Sequence, residues 1–517
     1  MAYIRVTGTG TIGLNRDLSQ HELPIQAWTD AQNVRFLDGY ANQFLGHGEV
    51  YQSPTYEPQH VLPVAVNGGR YWIYATPSKL FAVTNSGGVS THTDISHTTP
   101  RNGVVNAWTS THLSGIPVLN AGDDLSVPIA WNLDLGSPFS DLSNWPAGTY
   151  CRSIRSFKNV LIALNITEGT NRFPYMVWWS HPADPGALPS SWDYADATRR
   201  AGRVDIAQGA DPIVDGMQLR DSFMIYKENS CWRMDFVGGN DVFRFSKVLG
   251  VSGSMNRNCI ADIDGFHIVL TNNDIIIHDG NSTVSVLDKI TRRWLFQNID
   301  VDATDKCFVF KNPFFNEVFV CYPGIGSTVC DKAIVYNYLD KVVSQRDMPN
   351  VNHAAFGPVD SGLGGSWAAD DAPWSSDLTV WDGPDFVPSA ARVIMGTADT
   401  RLYLMDSSSA FAGAIPAAYI ERRGLSFGEP EAMKLIRGIR PRITGSVGDT
   451  VLVTVGRQDD PWQAPQWGPQ MTHVIGSQIA NDCFVTGRYI AIKFETGTGF
   501  SWRLDSYDID VVGGGMW

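Results

Sequence analysis

Three glycines near the start of the chain, Gly8, Gly10 and Gly13, stand in the spacing G-x-G-x-x-G. In a dinucleotide-binding loop that spacing lets the backbone turn tightly and approach a pyrophosphate. The chemistry needs a buried strand before the glycines and a long helix opening directly after them, whose N-terminus takes the anion. Tyr3 to Thr7 is a candidate strand. After Gly13 the chain reads LNRDLSQHELP, where Pro24 stops a helix and only Leu14 and Leu18 keep helical spacing. Asp30 and Asp38, the acids that would meet a ribose, sit in a polar, turn-like stretch. The glycines therefore read as part of an extended N-terminal arm, and no cofactor is expected.

Other chemical patterns break off in the same way. His21-Glu22 begins like a zinc-protease motif, but Ile25 stands where the second histidine would be. GVSGS at 250–254 lacks the last glycine of a nucleophile elbow, and DIDG at 262–265 lacks the terminal acid of a calcium loop. The pairs Asp123-Asp124, Asp370-Asp371 and Asp459-Asp460 are neighbours in turns, where solvated loop acids are the ordinary case. No catalytic, metal-binding or cofactor-binding residue is assigned, and the chain is expected not to be an enzyme. A propeller glycosidase stays open as an alternative, because its acids come from separate blades and leave no local motif.

The elements around these residues are strands. Helical periodicity is nearly absent, the exceptions being a helix expected near Gln26 to Asn33 and a helical turn near Pro430 to Lys434. Short runs rich in Val, Ile, Tyr, Phe and Trp alternate with Gly, Pro, Asn and Asp turns. A hairpin pattern recurs in YWIYATPSKLFAVTNSGG (71–88), DSFMIYKENSCWRMDFVGG (221–239) and GFHIVLTNNDIIIHDGNST (265–283). It returns at 316–341 and 391–409. Radial stacking of such hairpins buries both faces of each. The expected class is all-β, with a β-propeller of about six irregular blades and a β-sandwich platform domain. The expected boundaries are 1–60 for the arm and a platform segment, 61–415 for the propeller with loop insertions, and 416–517 for the C-terminal sandwich. Residues 361–390, rich in Gly, Pro, Trp and Asp, read as a long loop insertion.

Composition narrows the function. The net charge is −14 and no basic run is present, which disfavours a grip on nucleic-acid phosphate. The 17 Trp, 17 Tyr and 24 Phe suit sheets and large buried interfaces. No stretch of about 20 apolar residues occurs, so no membrane insertion is expected. The start MAYIRVTGTG lacks the pattern of a signal peptide. The seven cysteines are odd in number and form no C-x-x-C, which reads as reduced, buried thiols in a protein made in a cytoplasm.

The stretch 13–47, GLNRDLSQHELPIQAWTDAQNVRFLDGYANQFLGH, resembles the N-terminal region of the tail nozzle, or tail hub, proteins of short-tailed bacteriophages. The block P-x-x-A-W-x-x-A-x-N-V-R-F-x-D-G is met by Pro24, Ala27, Trp28, Ala31, Asn33, Val34, Arg35, Phe36, Asp38 and Gly39. Weaker likenesses occur at 107–124, 179–193 and 487–511, so the resemblance spans most of the chain. It implies a structural virion protein in the phage tail, a homohexameric ring docked below the portal-adaptor proteins. Genome DNA would pass its channel without specific binding, and a tail fibre or tailspike and a tail needle or plug are further implied neighbours. A receptor-binding tail protein is the second alternative. The resemblance assigns docking on the adaptor or a neighbouring subunit to Gly13, Leu14, Asn15, Asp17, Trp28, Arg35 and Phe36. Residues 1 to 20 are expected to lie extended on that partner by strand addition, so that deleting 1–13 leaves a folded protein unable to join tails.

Overall fold

The computed structural model describes residues 2–16, 19–66, 69–86, 89–101, 103–209, 211–239, 242–248, 250–359, 391–411, 417–498 and 501–516. They are nearly all β, in many small antiparallel sheets of a propeller-like kind. Five sheets have four strands each, joined in chain order, and cover 60–94, 109–141, 149–205, 213–248 and 260–285. Some middle strands are buried at nearly every position, Val160–Glu168 and Ser222–Lys227 among them, because both faces are covered. The first strand of each sheet packs on the first strand of the next, from Thr109–Leu113 through to Phe308–Asn312.

Beyond them lies a seven-stranded sheet. Its order is Phe308–Asn312, Glu317–Tyr322, Cys330–Asn337, Val342–Pro358, Ala391–Thr397, Arg401–Ser408 and, from the other end of the chain, Gly46–Glu49. The 17-residue strand Val342–Pro358 belongs to two units. Its first half pairs with Cys330–Asn337 and its second half with Ala391–Thr397, with register shifts on both sides near Val351. That second half also packs against His60–Val66, the first strand of the first small sheet. The insertion expected at 361–390 lies outside the described residues.

The remaining two sheets have six strands each and share one core. One holds Val34–Leu37, Tyr40–Gln43, Arg503–Met516, Ala432–Thr444 and Asn481–Gly487, with Ala2–Thr7 also paired to Arg503–Met516. The other holds Asp30–Gln32, Tyr419–Leu425, Tyr489–Thr498, Thr450–Gln458 and Gln466–Trp467, with Met471–Val474 also paired to Thr450–Gln458. Trp28, Phe36, Ile436, Val453, Phe494, Tyr507 and Ile509 fill the space between them. Each such side chain adds about 1.5–3 kcal/mol of hydrophobic stabilisation.

Two expectations need correction. No helix forms at 26–33. Asp30–Gln32 pairs instead with the strand Tyr419–Leu425, and Asn33 takes a left-handed φ of 55° that a helix does not allow. Pro430 to Lys434 is likewise the entry into the strand Ala432–Thr444. The one α-helix among the described residues is Lys289–Asn298, capped by Asp288, whose carboxylate accepts from the Thr291 N–H at 2.7 Å.

The arm is anchored on its own chain: Ala2–Thr7 adds as a strand in antiparallel register from Ala2 opposite Val511 to Thr7 opposite Ser506, which leaves its other edge unpaired among the described residues. Thr9 continues the attachment through its hydroxyl, which donates to the Leu504 carbonyl. Deleting residues 1–13 therefore strips a strand from the sheet rather than freeing a tether.

Candidate functional site

The block that carries the resemblance lies between the two-sheet unit and the seven-stranded sheet. Its turn explains its sequence. Leu37 faces Tyr40 across a two-residue loop, Asp38-Gly39, with φ of 55° and 79°. Two left-handed residues make the hairpin turn that matches strand twist, and Asp-Gly is a favoured pair for it. The hairpin places Arg35, 3% exposed, against the seven-stranded sheet.

Arg35 is the centre of a buried charge cluster. Its Nε and Nη2 donate to the two oxygens of Glu317 at 2.7 and 3.0 Å, and Nη2 donates also to Asp406 at 2.6 Å. Arg346 completes the group, donating to Asp406 at 3.0 Å and to the Leu45 carbonyl at 2.9 Å. Phe44 lies beneath both guanidiniums, at 4.6 Å from Arg35 and 4.9 Å from Arg346, and Phe315 covers Arg35 at 3.8 Å. Two cations thus face two carboxylates, all but excluded from water. Burial opposes the Arg35 charge, yet Asp406 and Glu317 hold its pKa above the ordinary value. Burial pushes Glu317 up to about 7 against the pull of Arg35. Burial lowers Arg346, with Asp406 opposing.

A second set of contacts runs beside it. The Asn33 amide donates to Asp347 at 2.7 Å and to the Ala417 carbonyl, and its oxygen accepts from the Asp347 N–H at 2.8 Å. Gln32 donates to the other Asp347 oxygen at 2.7 Å. Leu14 is buried, and its N–H donates to the Val343 carbonyl. Arg16 pairs with Asp30 at 2.6 Å and lies over the Trp294 ring at 4.5 Å.

The residues assigned to docking have other tasks. Trp28 is 1% exposed, packs on Phe494 and Tyr507, and donates through its indole N–H to the Thr9 carbonyl. Phe36 is in the same core. Asn15 donates its N–H to the Trp28 carbonyl at 2.9 Å. Gly13, with φ 69°, sits where a Cβ would meet Val342 at 3.1 Å, Phe36 at 3.2 Å and the Val343 carbonyl at 3.2 Å. Asp17 lies outside the described residues. Gly13, Leu14, Trp28, Arg35 and Phe36 are thus buried inside their own chain, and what they dock is one part of the protein on the other. The glycine spacing serves the same packing: a Cβ on Gly10 would fall 2.2 Å from the Tyr40 carbonyl oxygen. Gly13→Ala is expected to lower stability by about 1–3 kcal/mol, since it imposes left-handed backbone on a side chain with no room. Denaturant unfolding measures this, and a loss below about 0.5 kcal/mol contradicts the packing described.

A polar belt links the small sheets near their first strands. His60 and His353 stack with ring centres 3.9 Å apart, and the Val61 N–H donates to His353. His60 Nε2 meets the Ser110 hydroxyl at 2.8 Å, and Arg155 donates to the Ser110 carbonyl at 3.0 Å. Arg155 grips Asp215 with two bonds of 2.9 and 2.6 Å, and Asp215 accepts from the Ser153 hydroxyl and the Asn258 N–H. Burial opposes ionisation of Asp215, but Arg155 and these donors lower its pKa overall. Side chains of this belt join five sheets.

The partners Glu317, Asp406, Arg346 and Asp347 escaped the sequence reading. One local signal existed: Glu317 opens EVFVCY, a strand buried at every position. An acid in such a strand needs a cation beside it. Among the described residues, no group of three or more His, Cys, Asp or Glu is placed to hold a metal ion. One hollow, about 420 Å³, is open and polar, lined by Asp211, Glu228, Asn229, Ser230 and Lys247.

No protein-family model matches the chain, and no curated protein matches it in sequence. Among solved structures it is similar to apo AztD from Citrobacter koseri. The identity is 13% and the TM-score 0.31, over 56% of this chain and 72% of that one. A likeness that weak carries no argument about this protein.

Proposed function

We propose that the chain is a structural subunit of a short phage tail, the nozzle or hub, built as a propeller fastened to a β-sandwich platform. On this reading the seven-stranded sheet is two blades sharing Val342–Pro358. The propeller then has seven blades rather than about six, and Gly46–Glu49 closes it. The observation that supports the reading is the place of the block 24–39. The residues that resemble the nozzle family are those that lock the platform to the last blades through Arg35, Glu317, Asp406 and Arg346. Such a lock makes one stiff body of two parts, which suits a conduit that must keep its shape while a genome passes.

The same reading places the protein in the virion tail as a homohexamer below the portal-adaptor proteins. Its acidic charge of −14 favours a channel that does not hold DNA. A ring of this kind closes through heterologous contacts. Native mass spectrometry of the purified chain and electron microscopy of tails test it. Six-fold rings are expected, free in solution or on the adaptor. A trimer, or a monomer throughout, rejects the proposal and favours a receptor-binding protein. Hydrolysis of a host polysaccharide by a monomer favours the glycosidase.

A further inference from the structure

The sheet that contains the first strand ends in two open edges. In that part of the sheet the order is Ala2–Thr7, Arg503–Met516, Ala432–Thr444 and Asn481–Gly487. Among the described residues, no strand pairs with the far side of Ala2–Thr7 or of Asn481–Gly487. Neither carries a proline or lysine, residues that commonly block such edges. Both present large side chains to water, Tyr3 at 41% exposure and Phe484 at 80%.

The edges are complementary in direction and in chemistry. Each pairing across the sheet is antiparallel, so Asn481–Gly487 runs opposite to Ala2–Thr7. A second copy in the same orientation, set beside the first, would continue the sheet with a further antiparallel pair. One register puts Asp482 opposite Arg5, Phe484 opposite Tyr3 and Cys483 opposite Ile4. Asp482 and Phe484 are exposed, as are Arg5, bonded through Nε to Asp508, and Tyr3, which lies beneath Arg440, so the outer face gains an aromatic pair and a second carboxylate on Arg5. Cys483 packs on the sandwich core and Ile4 is half-buried, so the apolar pair falls on the inner face. A slip by one residue would turn each set to the wrong side.

We propose that strand Asn481–Gly487 of one copy pairs with strand Ala2–Thr7 of the next, making one sheet continuous across the subunit boundary. This rests on the ring reading above and supplies its contact. The two edges are on opposite sides of the sheet, so the contact is heterologous and repeats from copy to copy until the ring closes.

The test is a disulfide between copies. Tyr3→Cys and Phe484→Cys are combined with Cys483→Ser in the full chain, which is then oxidised and run on denaturing gels. Residues directly opposite in antiparallel strands have Cα atoms about 4.5–5.5 Å apart, within disulfide reach. A ladder of covalent multimers is expected, with the top band counting the copies, and neither single cysteine should give it. Separately, Asp482→Arg should weaken assembly about tenfold, since it removes an attractive pair with Arg5 and puts a repulsive one in its place. Arg5→Glu should restore it in the double variant, Arg442 being left to hold Asp508. If the unmodified chain forms rings but the ladder fails and Asp482→Arg assembles normally, the edge contact is wrong and the ring reading stands. If the unmodified chain forms no ring alone or in tails, both fall.

Discussion

Arg35→Ala is expected to destabilise the protein by about 3–5 kcal/mol, the range for removing one partner of a buried ion pair. The cost comes less from lost attraction than from what stays behind. Glu317 and Asp406 would share Arg346 as their one close cation in a site closed to water. Desolvated charge without a partner is far more costly than an unmade surface bridge. Phe44 and Phe315 would also lose the guanidinium packed on their faces. Denaturant unfolding followed by tryptophan fluorescence measures the loss. The cycle with Glu317→Ala separates packing from pairing, and the double variant should be less destabilised than the sum of the singles by about 1–3 kcal/mol. Additive singles, or an Arg35→Ala loss below about 1 kcal/mol, would show that the cluster does not hold the two parts together.

The strand content was legible because nearly every buried run has β-branched or aromatic residues bounded by turn formers, as in Phe266–Leu270 followed by TNND. The Asp38-Gly39 turn and the weight of the block around Arg35 were legible too. What that block does was not. Arg35 meets Glu317 and Asp406 across 282 and 371 residues, and no local pattern encodes a contact of that range. The same limit hid the destination of Ala2–Thr7, whose partner strand is some 500 residues away. An extended, Gly-flanked segment looks alike whether it joins its own sheet or another chain's. The helix Lys289–Asn298 was missed for a different reason. It buries only Thr291 and Leu295, too few positions to show a period of 3.6.

Acid should unfold this protein between about pH 6.5 and pH 4, and buried histidines set that window. Burial lowers His47, His267 and His278 to about 4 and His353 to about 3. It also depresses His60, with His353 and Arg155 adding to the effect. The geometry agrees. His353 accepts the Val61 N–H, which a protonated ring nitrogen cannot do. His267 and His278 both meet the Tyr226 hydroxyl at 2.7 Å. His47 lies between Tyr403 and Phe411 with Arg346 nearby. The folded pKa values lie below the unfolded value of about 6.5, so the unfolded chain binds protons first as pH falls. The stability these rings contribute is whole above about pH 6.5 and is lost as pH drops through 4. His47, His267 and His278 each contribute on the order of 3 kcal/mol, and a domain holds about 5–15 kcal/mol in all, so two or three suffice. Glu317 works in the opposite sense: its folded pKa of about 7 exceeds the unfolded value, so protonation there favours the fold as pH falls and softens the loss. Fluorescence-monitored acid titration should show a cooperative transition inside this window that takes up several protons. Glu317→Gln should flatten the opposing arm between about pH 7 and 4.5. A chain still folded at pH 4, with its histidines titrating near 6.5 by NMR, would mean that these rings are not held neutral by burial.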